Sequence, residues 1–142
     1  MGTIYSGICK KCGRLHNYDL GIGFFYSPNQ LLNKDEEYNL LSLFKERSRR
    51  EELKNIIDMG GNTLEDGYGN KLCKCPKSNK IYPRFIFKLI KSDGSEFIPS
   101  YKCHDCRWYE LQPIEEKNIN NELIVCSNCG EEIELFQSGN WD

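Results

Sequence analysis

The cysteines are the residues of this chain most suited to chemistry, and all eight of them fall into close pairs. The pairs are Cys9/Cys12, Cys73/Cys75, Cys103/Cys106 and Cys126/Cys129. Three of the pairs have Cys-x2-Cys spacing, in which a sharp turn brings two sulfurs towards one point. Paired thiolates at this spacing are typical of tetrahedral zinc sites. We therefore expect all eight cysteines to be metal ligands and the protein to hold two Zn²⁺ ions.

The two C-terminal pairs are separated by nineteen residues, a spacing typical of a zinc ribbon. This spacing favours a sequential grouping, in which the first two pairs share one ion and the last two share the other. The alternative is an interleaved grouping, which joins the first pair to the third and the second to the fourth. The sequence leaves both open.

Disulfides are the other way to stabilise a chain with this many cysteines, and they belong to oxidising compartments. The N-terminal residues show neither a basic start nor the apolar run of a secretory signal. No stretch has the length of a membrane span. These observations predict a cytoplasmic, reduced, metal-bound protein.

Only two histidines are present. His16 follows the first cysteine pair and is an alternative ligand in place of Cys75; otherwise we expect it to be a partly exposed strand residue. His104 lies between two ligands and is expected to face solvent.

The remaining pattern predicts a small, metal-stapled, mostly β fold with a helical insertion and two zinc ribbons. We place an N-terminal ribbon in residues 1–80, with helices over about 28–59, and a C-terminal hairpin and ribbon in 81–142. Ser27 followed by Pro28 indicates a helix start. The residues after position 136 are expected to form a loose tail.

Further strands and helices are expected between the cysteine pairs. Strands are predicted at 2–8, 14–26, 84–91, 96–102, 107–114 and 123–125, with helices at 34–46 and after a capping box at 48–51. The strands at 107–114 and 123–125 are expected to pair as the second ribbon.

Charge is distributed unevenly along the chain, although the formal net charge is only −2. Residues 67–92 contain seven basic residues and no acidic one, whereas 109–142 contain eight acidic residues and one basic. A nucleic-acid surface would use the basic run, namely Lys71, Lys74, Lys77, Lys80 and Arg84. The alternative role of these lysines is to balance the charge of the thiolate sites.

A protein-docking surface would use Trp108, Tyr109 and the acidic C-terminal face. Ligated thiolates and zinc would bring the net charge to about −6, which disfavours general adhesion to nucleic acid. We therefore favour a protein partner over nucleic acid, and an interaction module over the other functions.

Catalysis is not indicated by the sequence. Sites closed by four cysteines leave no open metal position, and no nucleophile elbow, phosphate loop or metalloprotease helix is present. A rubredoxin-like iron carrier is a further alternative, because the same thiolates bind iron.

The opening motif Cys-Lys-Lys-Cys-Gly, followed by Leu20-Gly-Ile-Gly-Phe-Phe-Tyr-Ser-Pro28, resembles the start of small uncharacterised bacterial zinc-ribbon proteins. The resemblance covers about the first third of the chain. It implies bound zinc, a ribbon fold and a bacterial origin, and it implies no catalytic activity. The short Cys73-x-Cys75 spacing departs from the Cys-x2-Cys of that family.

Overall fold

The computed structural model describes residues 2–24, 26–44 and 46–142. Within these residues the fold is mostly β, with short helices between the second and third strands. The strands are β1 (Gly2–Ile8), β2 (Leu15–Leu20), β3 (Thr63–Leu64), β4 (Gly69–Lys74), β5 (Ile81–Ile86), β6 (Leu89–Ile90), β7 (Glu96–Phe97), β8 (Gln112–Ile114) and β9 (Phe136–Trp141). The helices are α1 (Pro28–Leu31), α2 (Leu40–Leu43) and α3 (Arg50–Met59), with 3-10 segments at Arg47–Arg49 and Glu116–Asn121.

The first sheet joins the two ends of the chain in the order β2-β1-β9. Both pairings are antiparallel, and β9 places Trp141 opposite Gly2. The Trp141 ring lies where a Cβ at Gly2 or Gly23 would overlap it, and its indole N–H donates to the Leu20 carbonyl at 2.9 Å. The prediction of a loose C-terminal tail is therefore wrong.

The second sheet has the order β5-β4-β8, and the third has the order β3-β6-β7. Strand β4 pairs antiparallel with β8, with Lys74 opposite Gln112. Gly21 bridges the first two sheets, since it exchanges two backbone hydrogen bonds of 2.8 Å with Asn70. Glycine within a strand commonly allows such a close backbone approach.

The C-terminal half contains one confirmed hairpin and one wrong pairing. The strand predicted at 84–91 is divided between β5 and β6, and β6 and β7 form the predicted hairpin around Gly94. The expected pairing of 107–114 with 123–125 does not occur, because β8 pairs with β4 and Val125 bridges Lys80 and Glu132.

The helix predicted after residues 48–51 is confirmed as α3, whereas the helix predicted at 34–46 is shorter than expected. Ser27 caps α1 as expected, with its hydroxyl accepting from the Gln30 amide. The helix predicted at 34–46 is reduced to α2, which begins after the cap Asn39; its predicted last turn includes residue 45, which lies outside the described residues. The capping box at 48–51 is absent, because Glu46 caps the preceding 3-10 turn and α3 begins at Arg50.

Two separate groups of buried side chains hold the fold together, and each includes cysteines. One lies between the helices and the strands β3 to β7, and it contains Phe44, Phe97 and Cys75. The other lies under the first sheet and contains Cys9 and Cys126. The predicted domain boundary at residue 80 falls between β4 and β5, which pair with each other.

No helix in the described part of the chain is long and apolar enough to cross a bilayer.

Candidate metal centres

Four short turns, which we call knuckles, share one backbone geometry: residues 9–13, 75–79, 103–107 and 126–130. In each, the amide of the fifth residue donates to the carbonyl of the first residue, a cysteine, and the fifth residue has positive φ. The bonds are Gly13 to Cys9 (2.8 Å), Asn79 to Cys75 (2.9 Å), Arg107 to Cys103 (2.8 Å) and Gly130 to Cys126 (2.8 Å). The corresponding φ values are 74°, 61°, 61° and 82°. The turn therefore has the same form in all four places.

This repeat changes the assignment of the second knuckle. It begins at Cys75, so the position that holds the second cysteine in the other knuckles is occupied here by Ser78. The sequence prediction paired Cys75 with Cys73 instead. Asn79 indicated where the turn ends, because asparagine tolerates the positive φ of the fifth knuckle residue better than most residues do.

Cys73 lies outside both thiol groups that the structure forms. It belongs to β4 and is fully buried, and its thiol is 3.7 Å from the Lys71 carbonyl. Burial raises the pKa of Cys73 to about 12, which keeps it a neutral thiol. Its predicted role as a metal ligand is not supported by this position.

The first candidate metal centre, the four-thiol site, consists of Cys9, Cys12, Cys126 and Cys129. The Cys9 and Cys129 sulfurs are 3.4 Å apart, and those of Cys12 and Cys126 are 3.7 Å apart. A tetrahedral zinc with Zn–S bonds of about 2.3 Å separates its sulfurs by about 3.8 Å. A disulfide requires about 2.05 Å, and all eight cysteines are free. The spacing therefore fits a shared metal ion.

The second centre, the three-thiol site, consists of Cys75, Cys103 and Cys106. The Cys75 and Cys106 sulfurs are 3.8 Å apart. Burial alone would raise the pKa of Cys75, but hydrogen bonds from Ser78 and from the Lys77 backbone lower it to about 7. Thiolate is the form that binds metal, so this environment favours ligation.

The grouping is nested: the outer two cysteine pairs share one site and the inner knuckles share the other. Neither the sequential nor the interleaved prediction matches it. The physical reason lies in the strand pairing, because β9 runs antiparallel to β1 and so brings the fourth knuckle beside the first. Likewise, β8 runs antiparallel to β4 and so brings the third knuckle, which precedes β8, beside the second knuckle, which follows β4.

His16 supports the four-thiol site without belonging to its thiol group. Its side chain is buried, with Nε2 at 3.3 Å from the Cys126 sulfur and Nδ1 at 2.9 Å from the Tyr18 hydroxyl. A metal-bound thiolate can only accept, which places the proton on Nε2 and makes Tyr18 the donor to Nδ1. Burial, followed by the charge of Arg14, lowers the pKa of His16. The expectations of a metal ligand or a partly exposed residue were both wrong.

The exposed thiol of the four-thiol site, Cys12, has a lowered pKa. Hydrogen bonds from the Asn128 side chain and the Arg14 backbone lower the pKa of Cys12 to about 6. Asn128 belongs to the fourth knuckle, so that turn stabilises the Cys12 thiolate of the first.

The basic run is largely engaged with neighbouring side chains. Lys74 pairs with Glu122 at 2.6 Å, and Lys80 pairs with Asp105 at 2.5 Å. Lys77 lies 5.5 Å from the Tyr109 ring centre, and Arg84 lies 5.5 Å from that of Tyr82. The hydrogen bond from Lys80 lowers the pKa of Asp105. These contacts hold most of the run against neighbouring carboxylates and aromatic rings; nucleic-acid binding by Lys71 and the rest of the run, and charge balance of the thiolate sites, both stay predictions.

The candidate docking residues lie directly after the third knuckle. Trp108 is 87% exposed and Tyr109 is 41% exposed. The Trp108 amide donates to the Cys106 carbonyl at 2.7 Å, which ties its backbone to a ligand of the three-thiol site. A tryptophan this exposed is unusual, because its large apolar surface is normally at least partly covered.

Comparisons with protein-family models, with curated proteins and with solved structures find no significant match to this chain. The assignment of its sites therefore rests on the geometry described above.

Proposed function

We propose that the protein is a zinc-stapled interaction module that docks on a protein partner. The observation that carries the metal is the four-thiol site, whose sulfur separations match a tetrahedral ion. Zinc is favoured over iron because neither knuckle of that site has the Cys-Pro-x-Cys-Gly character of rubredoxin-like carriers.

The metal has a structural role in this proposal. Each site ties together two knuckles that lie far apart in the chain, and each set of sulfurs borders one of the two buried cores. Small domains with thin cores commonly need such staples, and binding free energy then becomes folding free energy. A chelator should therefore unfold the protein.

The docking surface in this proposal is centred on Trp108. Its ring is exposed, while its backbone is held by a hydrogen bond to Cys106, so little backbone conformational entropy is lost when a partner covers it. Exposed tryptophans of this kind are common binding hot spots. A partner with an apolar pocket fits this feature better than a polyanion does, since the nearby Lys80 is already paired.

Metal analysis of the reduced, purified protein tests the first part. We expect a colourless protein with zinc at the four-thiol site; a red protein containing iron would indicate the electron carrier instead. Full alkylation of all eight cysteines without denaturant would contradict any thiolate-bound metal.

Capture experiments test the second part. A partner retained by the wild type should be lost from Trp108→Ala, with an affinity loss of about 30-fold or more, as expected for a hot spot of about 2 kcal/mol. Met59→Ala is the matched control, because Met59 is 82% exposed at the end of helix α3 and belongs to neither thiol site. Equal capture by both variants, each with its metal retained, would show that Trp108 is not the anchor.

A further inference from the structure

The two metal centres differ by one ligand, and the difference lies at Ser78. The four knuckles have the same turn geometry, and in three of them the first and fourth residues are both cysteine. In the second knuckle the fourth residue is Ser78. The three-thiol site therefore has the backbone of a four-cysteine centre and the side chains of a three-cysteine one.

The missing thiolate lies on the solvent side of the site. In every knuckle the first cysteine is at most 1% exposed, whereas the fourth residue is at least partly exposed. Ser78 follows this rule, as do Cys106 and Cys129. An ion held by the three thiolates would consequently present its fourth position to solvent.

Within the described residues, no other side chain supplies the fourth ligand in this arrangement. No imidazole or carboxylate joins the three sulfurs in one group. Asp105 is engaged with Lys80 and with the Tyr82 hydroxyl, at 2.5 and 3.2 Å. His16 is buried beside Cys126 at the other site.

We propose that the three-thiol site holds a zinc ion whose fourth position is exchangeable and accepts an imidazole nitrogen from another molecule. Three cysteines and one histidine form one of the common closed zinc ligand sets. On binding, the imidazole nitrogen displaces a coordinated water, and the metal keeps its oxidation state. A histidine of a protein partner is the matching donor, and the exposed Trp108 beside Cys106 lies where such a partner would dock.

This inference rests on the metal binding of the proposed function, and its test with free imidazole does not depend on whether Trp108 docks a partner. The test uses the full-length reduced chain loaded with two equivalents of Co²⁺, whose visible and charge-transfer bands report the ligands of each ion. Free imidazole is the probe. We expect a saturable spectral change from one of the two cobalt ions.

Two substitutions at equivalent knuckle positions provide matched controls. Ser78→Cys places a cysteine at the fourth residue of the second knuckle. It should abolish the imidazole response while adding one cobalt–thiolate bond. Cys129→Ser opens the four-thiol site in the same way and should double the response, since both ions then have an exchangeable position. Both changes preserve the backbone turn and the approximate side-chain size.

A wild-type protein that binds two cobalt ions and shows no imidazole response would overturn the proposal. So would a response that appears only when Ser78 or His104 is changed to alanine, because that side chain would then be the fourth ligand. Failure of the chain to bind any cobalt would instead contradict the metal-binding function itself. The two failures are therefore distinguishable.

Discussion

The hydrogen bond from His16 to Cys126 yields a prediction about one metal site only. His16→Leu keeps an apolar side chain of similar size but removes the N–H that lies 3.3 Å from the sulfur. Residues that hydrogen-bond metal ligands typically contribute 10- to 100-fold in metal affinity. We therefore expect zinc binding at the four-thiol site to weaken by about 1.4–2.7 kcal/mol.

The same substitution also removes the partner of Tyr18. The Tyr18 hydroxyl is 2.9 Å from His16, and burial raises its pKa to about 12, so it remains a protonated donor. A buried donor without an acceptor costs about 1–3 kcal/mol of stability. His16→Leu with Tyr18→Phe removes that unpaired donor, so the double variant should be more stable than the sum of the two single effects implies.

Competition with a chromophoric chelator measures the affinity, and alkylation with peptide mapping identifies which site has lost its ion. The three-thiol site is the internal control, since its cysteines do not contact His16. A change of less than twofold at the four-thiol site, or an equal loss at both sites, would refute the reasoning. Denaturant unfolding of the zinc-loaded single and double variants gives the coupling energy.

Three further predictions concern the grouping of the cysteines and the pairing of the chain ends. Cys126→Ser should weaken zinc binding at the four-thiol site and make its other three thiols more reactive to alkylation; more reactive thiols at the third knuckle would instead support the sequential grouping. Cys73→Ala should retain both zinc ions at a cost of about 1–2 kcal/mol, whereas Cys75→Ala should lose one; a zinc count of one for Cys73→Ala would show that it is a ligand. Trp141→Ala should destabilise the first sheet by somewhat less than the about 3–5 kcal/mol of a fully buried tryptophan, and should weaken zinc binding at the four-thiol site alone; unchanged thermal unfolding would show that β9 contributes little.

The sequence predicted the turns, the helix cap and the hairpin that depend on residues close together in the chain. The Cys-x2-Cys pairs converge because their turns are short, and Ser27 caps α1 because its side chain meets an amide three residues later. The hairpin around Gly94 also follows from neighbouring residues. Each of these features is determined within fewer than about fifteen residues, which is the range over which sequence patterns are informative.

The prediction for the second knuckle was wrong because it paired Cys75 with the nearest cysteine, Cys73, although the turn begins at Cys75 and continues to Asn79. Cys73 and Cys75 are separated by one residue. Residues two apart in a strand point to the same face, but β4 ends at Lys74, so Cys75 lies beyond the strand that contains Cys73. The stronger signal was the turn itself, with Asn79 at the position of positive φ. A knuckle is defined by that backbone shape, and its side chains then decide how many thiolates it offers.

The grouping of the pairs depends on chain connectivity over much longer distances, and spacing constrains it only weakly. The loops that the metals close are 61 and 20 positions long in the sequential grouping, from Cys12 to Cys73 and from Cys106 to Cys126. In the nested grouping they are 114 and 28 positions long. Because closure entropy grows only with the logarithm of length, the sequential grouping is favoured by only about 1 kcal/mol. The pairing of β1 with β9 and the packing of Trp141 outweigh that difference, and neither has a local signature in the sequence, since β9 contains Gly139 and mostly polar residues.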